Sequence, residues 1–264
     1  MKLIIDKSNR LKNEESWEWR YYSNIFRLMQ EDIFFENETI IFTDNLETLP
    51  INDKKDCIIF LISDEKYTAP SYINNIKVVF KNYVFPEQEE LKIFPIPQGY
   101  NKSLVKLPFK NINERSYDIS FQGNFHTTRY SIVNSIIQEL QKRNLSISAC
   151  FKQSSNMLEY SENLCNSKIS LCLDGQITPE NFRFFESCIF GCTIIASENL
   201  PKNWLYDKEF YYKVNWNDEV SIVDLIVDLL NNKEKLENSC TNSYNAWKNY
   251  YSENSLINYI KSKI

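Results

Sequence analysis

Short, unbroken apolar runs rich in β-branched residues recur along this chain, and segments of helical period separate them. KLIID (2–6), ETIIFTD (38–44), DCIIFLISD (56–64) and IKVVF (76–80) read as strands that are apolar on both faces, the pattern of a parallel sheet covered by helices on both sides. Between the first two, residues 16–30 read as a helix. A second series follows, with strands at 117–123, 145–151, 169–174, 192–197 and 209–214 and helices at 129–143, 157–166, 178–191, 218–231 and 233–264. The stretch 85–116 separates the two series and holds four of the eight prolines, which marks a boundary or hinge. Strand and helix alternate throughout, so the expected fold is α/β: two doubly wound Rossmann-like units, 1–110 and 111–264, with a cleft between them.

Composition narrows the function. A net charge of -5 argues against a protein that coats nucleic acid, because phosphate binding draws on clustered Lys and Arg. No apolar run approaches the roughly 20 residues of a membrane span, and MKLIIDKSNR has too short an apolar core for a signal peptide. The expected location is therefore cytoplasmic. Seven scattered cysteines fit reduced thiols, and with no C-x-x-C and only His126 a zinc site is not expected. D-x-D, G-x-G-x-x-G and the P-loop are all missing, which counts against a metal-dependent GT-A transferase, a dinucleotide oxidoreductase and an NTPase. Only four glycines occur in 264 residues, well under the usual share of about 7%, so Gly123 and Gly175, both at strand ends, read as positions where backbone approaches a ligand.

The chemistry concentrates in SKISLCLDGQITPENFRFFESCIFGCTIIASENLP (167–201). A strand ends at Asp174, Gly175 opens the turn, and Thr178 with Pro179 can begin a helix whose free N–H groups and dipole suit a diphosphate. Phe182, Phe185 and Ile189 make a core stripe, while Arg183 and Glu186 share another face. By spacing alone these two are a surface ion pair or a functional pair. In FQGNFHTTR (121–129), Gly123, Asn124, His126, Thr127, Thr128 and Arg129 put donors at a helix start. Alternatively Asn124 or Thr127 simply caps that helix and His126 lies on the surface.

The run 167–201 resembles the donor-binding half of exostosin-like glycosyltransferases. The resemblance rests on Ser167, Leu171, Gly175, Arg183, Glu186, Gly191, Cys192, Ile194, Ile195, Leu200 and Pro201, and FQGNFHTTR resembles that family's F-x-G-x-x-x-x-x-R turn. Asp174, Phe182 and Thr193-Ile194 depart from the pattern. The resemblance implies a GT-B fold and a nucleotide-sugar donor, a UDP-sugar first, held by the second unit. Arg183 would neutralise the diphosphate and Glu186 would bond the ribose or orient the arginine. Gly123, Asn124, His126, Arg129, Gly175, Thr178, Glu180 and Asn181 complete the implied donor site. It further implies no resident cofactor or metal, and a glycan or lipid-linked glycan acceptor of bacterial surface polysaccharide (capsule or lipopolysaccharide).

Glu180 and Glu186 stand six apart rather than eight as in many retaining GT-B enzymes, which points toward inversion. Inversion needs a base from the first unit, where Asp6, Asp44, Asp64 and Glu65 close or follow apolar runs. Asp64 leads them, with Glu65 and Asp44 next. Lys102, Lys106 and Lys110 are either a solvated face or a peripheral contact with anionic lipid at the inner membrane face. A competing expectation is a non-catalytic nucleotide-sugar- or glycan-binding module, since the chain is short for a GT-B enzyme.

Overall fold

The computed structural model describes residues 1–6, 17–51, 56–62, 65 and 67–264. In chain order its elements are β1 (Lys2–Ile5), α1 (Trp19–Gln30), β2 (Thr39–Thr43), β3 (Cys57–Leu61), β4 (Val78–Lys81), β5 (Ile93–Pro95), β6 (Tyr117–Gln122), α2 (Thr127–Lys142), β7 (Ala149–Lys152), α3 (Met157–Cys165), β8 (Ser167–Cys172), α4 (Phe182–Ile189), β9 (Thr193–Ser197), β10 (Tyr212–Val214), α5 (Glu219–Asn231), α6 (Lys233–Ala246) and α7 (Glu253–Lys263). They divide into two compact units, one of Met1–Lys102, Pro201–Asp207 and Asn249–Ile264, the other of Ser103–Leu200 and Lys208–Lys248. The expected cut near residue 110 follows chain order, whereas the first unit also takes 201–207 and the carboxyl-terminal helix.

The first unit is a parallel sheet in the order β1-β2-β3-β4-β5. Because side chains alternate with period two, each strand sends one set of residues to each face. Phe42, Phe60, Phe80 and Phe94 pair in register across four strands and form an aromatic row. Phe26 of α1 lies edge-on to Phe60 at 5.0 Å, and Tyr259 of α7 lies edge-on to Phe80 at 6.4 Å. On the opposite face Ile41, Ile59, Leu61, Val79 and Ile93 pack with Leu49, Tyr72 and Val84. Strand β5 was not expected from the sequence, because Pro95 breaks the pattern. Its place at the edge of the sheet is where a strand tolerates a proline.

The second unit is parallel in the order β10-β9-β8-β6-β7. From β6 the chain steps outward to β7, then returns past β6 to β8 and runs the other way. The order therefore reverses between β6 and β8, and such a reversal opens a ligand crevice at the carboxyl ends of the strands on either side of it. Phe121, Leu171 and Ile195 face Ile136 of α2 and Ile222 and Ile226 of α5 in one core.

The single helix expected over 233–264 is two. A π turn at Trp247–Tyr251 follows α6, and Ser252, in extended backbone, caps α7 by accepting from the Ser255 N–H. All seven cysteines are free and buried. Among the described residues no helix is long and apolar enough to cross a membrane.

Candidate functional site

The reversal between β6 and β8 is spanned by one side chain. Asn181 caps α4, its Oδ1 accepting from Phe184 N at 3.3 Å, while its Nδ2 donates to Leu173 O at 3.0 Å and Pro179 O at 3.2 Å. This fixes Arg183 in the first helical turn, where side chains tilt back toward the amino end. Its Nε donates to Gln122 O, at the end of β6, and its Nη1 to Leu173 O, just beyond β8, at 3.4 Å. The guanidinium lies 4.4 Å from the centre of the Phe121 ring and the residue is 7% exposed. Gly123, at φ +151°, makes room for it.

Arg129 supplies a second cation over the same ring, at 5.8 Å. Its Nε and Nη2 donate to Asp174 O at 2.8 and 2.6 Å, and its Nη1 to Asn124 O at 3.2 Å. Burial, and then the charge of Arg183, push Arg129 down to about 10. Among the described residues neither guanidinium forms an ion pair. Both are held by neutral carbonyls, and the Asp174 carboxylate acts on Arg129 through space without bonding it. Two guanidiniums thus stand together with no directly bonded carboxylate, an arrangement suited to an anion.

The amino end of α2 adds to this field. His126 occupies the cap position without a side-chain cap bond, and the first turn holds no acid, so N–H groups and the positive end of a 16-residue helix are open. The His126 Nε2 is buried with no hydrogen-bond partner. Burial, Arg129 and Arg183 all lower its pKa, which keeps the imidazole neutral near pH 7.

A cavity of about 430 Å³ opens beside His126 and Arg129, within the usual range for small-molecule sites, and the buried Arg183 and Gly123 are not among the residues that line it. His126, Thr128 and Arg129 line it from α2, Asp174, Gly175 and Thr178 from the loop after β8, and Asn199, Asn215 and Trp216 from the far side. A larger cavity of about 490 Å³ lies by the amino ends of the strands, beside Asp118 and Lys168. There Asp118 and Lys168 pair at 2.7 Å, and Lys233, which also lines the cavity, pairs with Glu237 at 3.8 Å.

Several expectations are corrected. Helix α4 begins at Phe182 rather than Thr178, because Asn181 outcompetes Thr178 as a cap. The loop before it instead folds the carbonyls of Thr178 and Glu180 against Gly175, where a β-carbon would lie 2.6 and 2.7 Å from them. Thr178 and Glu180 are 6% and 3% exposed. Of the expected stripe of α4, Phe185 and Ile189 are buried and Phe182 is only half-buried, with Phe184 buried in addition. Arg183 and Glu186 are not a surface ion pair: both are buried, and Glu186, 2% exposed, accepts from the Tyr160 hydroxyl. Asn124 and Thr127 do not cap α2, since His126 holds that position. Asn124 enters through its carbonyl alone.

Of the carboxylates proposed as bases, Asp64 lies outside the described residues. Asp44 follows β2 and Glu65 follows β3, both half-buried. Asp6, at the end of β1, is 5% exposed and accepts from Thr43 Oγ1 at 2.8 Å. All three described carboxylates thus sit at the carboxyl edge of the first sheet. Lys110 donates to Asn166 Oδ1 at 2.7 Å, and Lys106 lies 5.7 Å from the Trp247 ring. Chain order suggests that Asn215 to Asp218 contact the donor from below, and Asn215, Trp216 and Asn217 do line the cavity. Asp174 has no expected role, yet its Oδ1 accepts from Trp216 Nε1 at 3.0 Å and it lines the cavity too. The signal lay in Asp174 itself, a charged residue close to where the exostosin-like pattern prefers proline.

No protein-family model and no curated protein matches the chain. Among solved structures it is similar to TarM, with a TM-score of 0.54 and 13% identity over 91% of this chain and 57% of that one. An alpha-glucosyltransferase in complex with UDP-glucose and DNA gives 0.53 and 10% identity over 99% and 98% of the two chains. T4 phage BGT in complex with its UDP-glucose substrate gives 0.52 and 12% over 100% and 99%. The chain thus spans little more than half the length of TarM and nearly the whole of the other two. At these identities the likeness establishes the fold, which is GT-B: two Rossmann-like α/β domains with parallel sheets of five strands.

Proposed function

We propose that this protein is a glycosyltransferase that takes a sugar from a nucleotide-sugar donor, bound in the cavity of the second unit, and passes it to a glycan. The observation that carries this reading is the pair of guanidiniums, Arg183 and Arg129, held by backbone carbonyls over the Phe121 ring at the strand-order reversal. Breaking a sugar–phosphate bond leaves negative charge on the departing diphosphate. Fixed cations and an open helix amino end stabilise that charge more in the transition state than in the ground state. Two arginines supply the charge that a metal ion provides elsewhere, which supports metal-independent transfer without a resident cofactor.

In this reading Gly123, Asn124, Gly175, Thr178, Glu180 and Asn181 shape the donor site, His126 contacts the diphosphate and Glu186 meets the ribose, as the exostosin-like pattern also implies. A UDP-sugar is the first donor to test, because similar structures hold UDP or UDP-glucose. The acceptor is a glycan, free or lipid-linked, of bacterial surface polysaccharide, transferred with inversion by an enzyme of the cytoplasmic side. Three structures of the similar alpha-glucosyltransferase hold DNA, but this chain's charge of -5 disfavours that acceptor. Shortness no longer favours a non-catalytic module, since a transferase fold of nearly the same extent matches end to end.

The test is a panel of UDP-, GDP- and CMP-sugars, followed by calorimetry and by slow donor hydrolysis. Binding with turnover for one donor, both lost in Arg183→Ala with an intact circular dichroism spectrum, is the expected result. Binding without turnover would leave the binding module, and unchanged affinity in Arg183→Ala would remove the assignment. A parallel series, Asp6→Asn, Asp44→Asn, Asp64→Asn and Glu65→Gln, identifies the base as the variant that keeps donor affinity and loses transfer.

A further inference from the structure

We infer that the first unit carries a platform for a neutral sugar ring, formed by the stacked side chains of Tyr67 and Phe85. The inference deepens the reading above and rests on it, since a glycan acceptor is what such a platform would hold. The two rings lie 4.1 Å apart with 17° between their planes, and Tyr83 meets Tyr67 edge-on at 6.1 Å and 88°. Phe85 is 47% exposed. Burial in a core therefore does not explain the stack.

Two features mark it as built rather than incidental. Tyr67 and Tyr83 both adopt left-handed backbone, at φ 55° and 57°, which is costly for bulky side chains and collects at ligand sites. They stand on the segments that leave adjacent strands, β3 and β4, at the carboxyl edge where parallel sheets bind ligands. A single side chain then ties the two segments together. Gln88 donates from Nε2 to Tyr67 O at 2.8 Å and accepts from Phe85 N at Oε1 at 3.0 Å. One amide thus fixes both ring-bearing backbones before any ligand arrives, as a preorganised site requires.

Charge selects the ligand. The turn that follows Phe85, Pro86–Leu91, carries Glu87, Glu89 and Glu90 and no basic residue. Glu89 pairs with Lys263 at 3.8 Å, while Glu87 and Glu90 form no ion pair among the described residues and are exposed. Phosphates, and with them nucleic acid, are repelled here. A hexopyranose fits instead: its C–H face lies on the electron-rich face of an aromatic ring, and its hydroxyls donate to the carboxylates.

Saturation-transfer NMR on the full chain tests this, with the methyl glycosides of glucose, galactose, mannose and N-acetylglucosamine and their neutral oligomers as probes. The expected result is saturation concentrated on the C–H protons of one ring face, with affinity reduced about tenfold or more in Phe85→Ala and in Tyr67→Ala. Phe85→Trp should retain it, and Gln88→Ala, which keeps both rings but frees the backbones that carry them, should weaken it. Thermal midpoints measured alongside show that each variant is folded. No saturation with any glycoside, or equal saturation in Phe85→Ala, overturns the platform, as does a Phe85-dependent loss of binding to a short DNA duplex instead. UDP-glucose binding to the unaltered protein is measured separately. Sugar binding without donor binding would remove the transferase reading and leave the platform standing.

Discussion

A β-carbon on residue 123 would lie 2.2 Å from Nη2 of Arg183. The glycine that ends β6 and the arginine that begins α4 therefore define one feature, in which the missing side chain of one is the space occupied by the other. Gly123→Ala should displace the guanidinium and weaken UDP-sugar binding about tenfold by calorimetry, with a stability cost of about 1–3 kcal/mol from the backbone angle. Gly191→Ala is the control. It also sits at positive φ, +60°, but its β-carbon would meet the Phe109 ring at 2.5 Å, so it should lower the thermal midpoint and leave donor affinity unchanged.

Arg183→Lys should fail almost as fully as Arg183→Ala. A guanidinium reaches Gln122 O and Leu173 O from separate nitrogens and still lies 4.4 Å from the centre of the Phe121 ring, while an ammonium is a point donor that cannot bridge two strand ends. The expected loss in donor affinity is about ten- to a hundredfold, roughly 1.4–2.8 kcal/mol. Arg129→Lys should behave alike, and the charge-removing variants Arg183→Ala and Arg129→Ala should flatten the salt dependence of donor binding more than the lysine variants, which keep the charge.

His126 gives two pH dependences of opposite sign. Burial, Arg129 and Arg183 hold its folded pKa below the ordinary 6.5. Between those two values the unfolded chain binds more protons, so stability without ligand rises with pH and is lost as pH falls from 6.5 through the folded value. A bound diphosphate reverses the local charge and raises the imidazole pKa. Donor binding should then take up a proton and tighten as pH falls. Thermal midpoints between about pH 5 and 8, and calorimetry in buffers of different ionisation enthalpy, read the two slopes. His126→Gln should abolish both.

Phe60 pairs with Phe42 and Phe80 in the aromatic row and meets Phe26 of α1 at 5.0 Å. Phe60→Ala should cost about 3–5 kcal/mol of stability in denaturant unfolding. Donor affinity, which depends on the second unit, should persist in whatever fraction remains folded.

Much of this was legible in the residues. Short β-branched runs such as CIIFL and TIIAS read as strands buried on both faces. Gly123 and Gly175 stood out as chosen, although what comes close to them is this chain's own Arg183 guanidinium and the carbonyls of Thr178 and Glu180. Elsewhere the local signal misled. Pro95 hid β5, because a proline excludes a strand only where both edges are paired. Thr178 and Pro179 looked like a helix start, and only the bonds from Asn181 to Leu173 and Pro179 show why the helix waits until Phe182. Charge spacing suggested a surface pair for Arg183 and Glu186, whereas burial separates their partners, backbone carbonyls for one and Tyr160 for the other.

The sequence by itself determined which segments are strands and helices and that both sheets are parallel, because those choices rest on side-chain period and propensity within a few residues. Tertiary structure alone decided that strand order reverses between β6 and β8 in the second sheet while the first runs in chain order. It also decided that Arg183 would reach across 61 residues of chain to Gln122. The reason is physical: a carbonyl at a strand end is the same group in every sequence, and it becomes part of a cation-holding site only when packing sets the right helix start beside it.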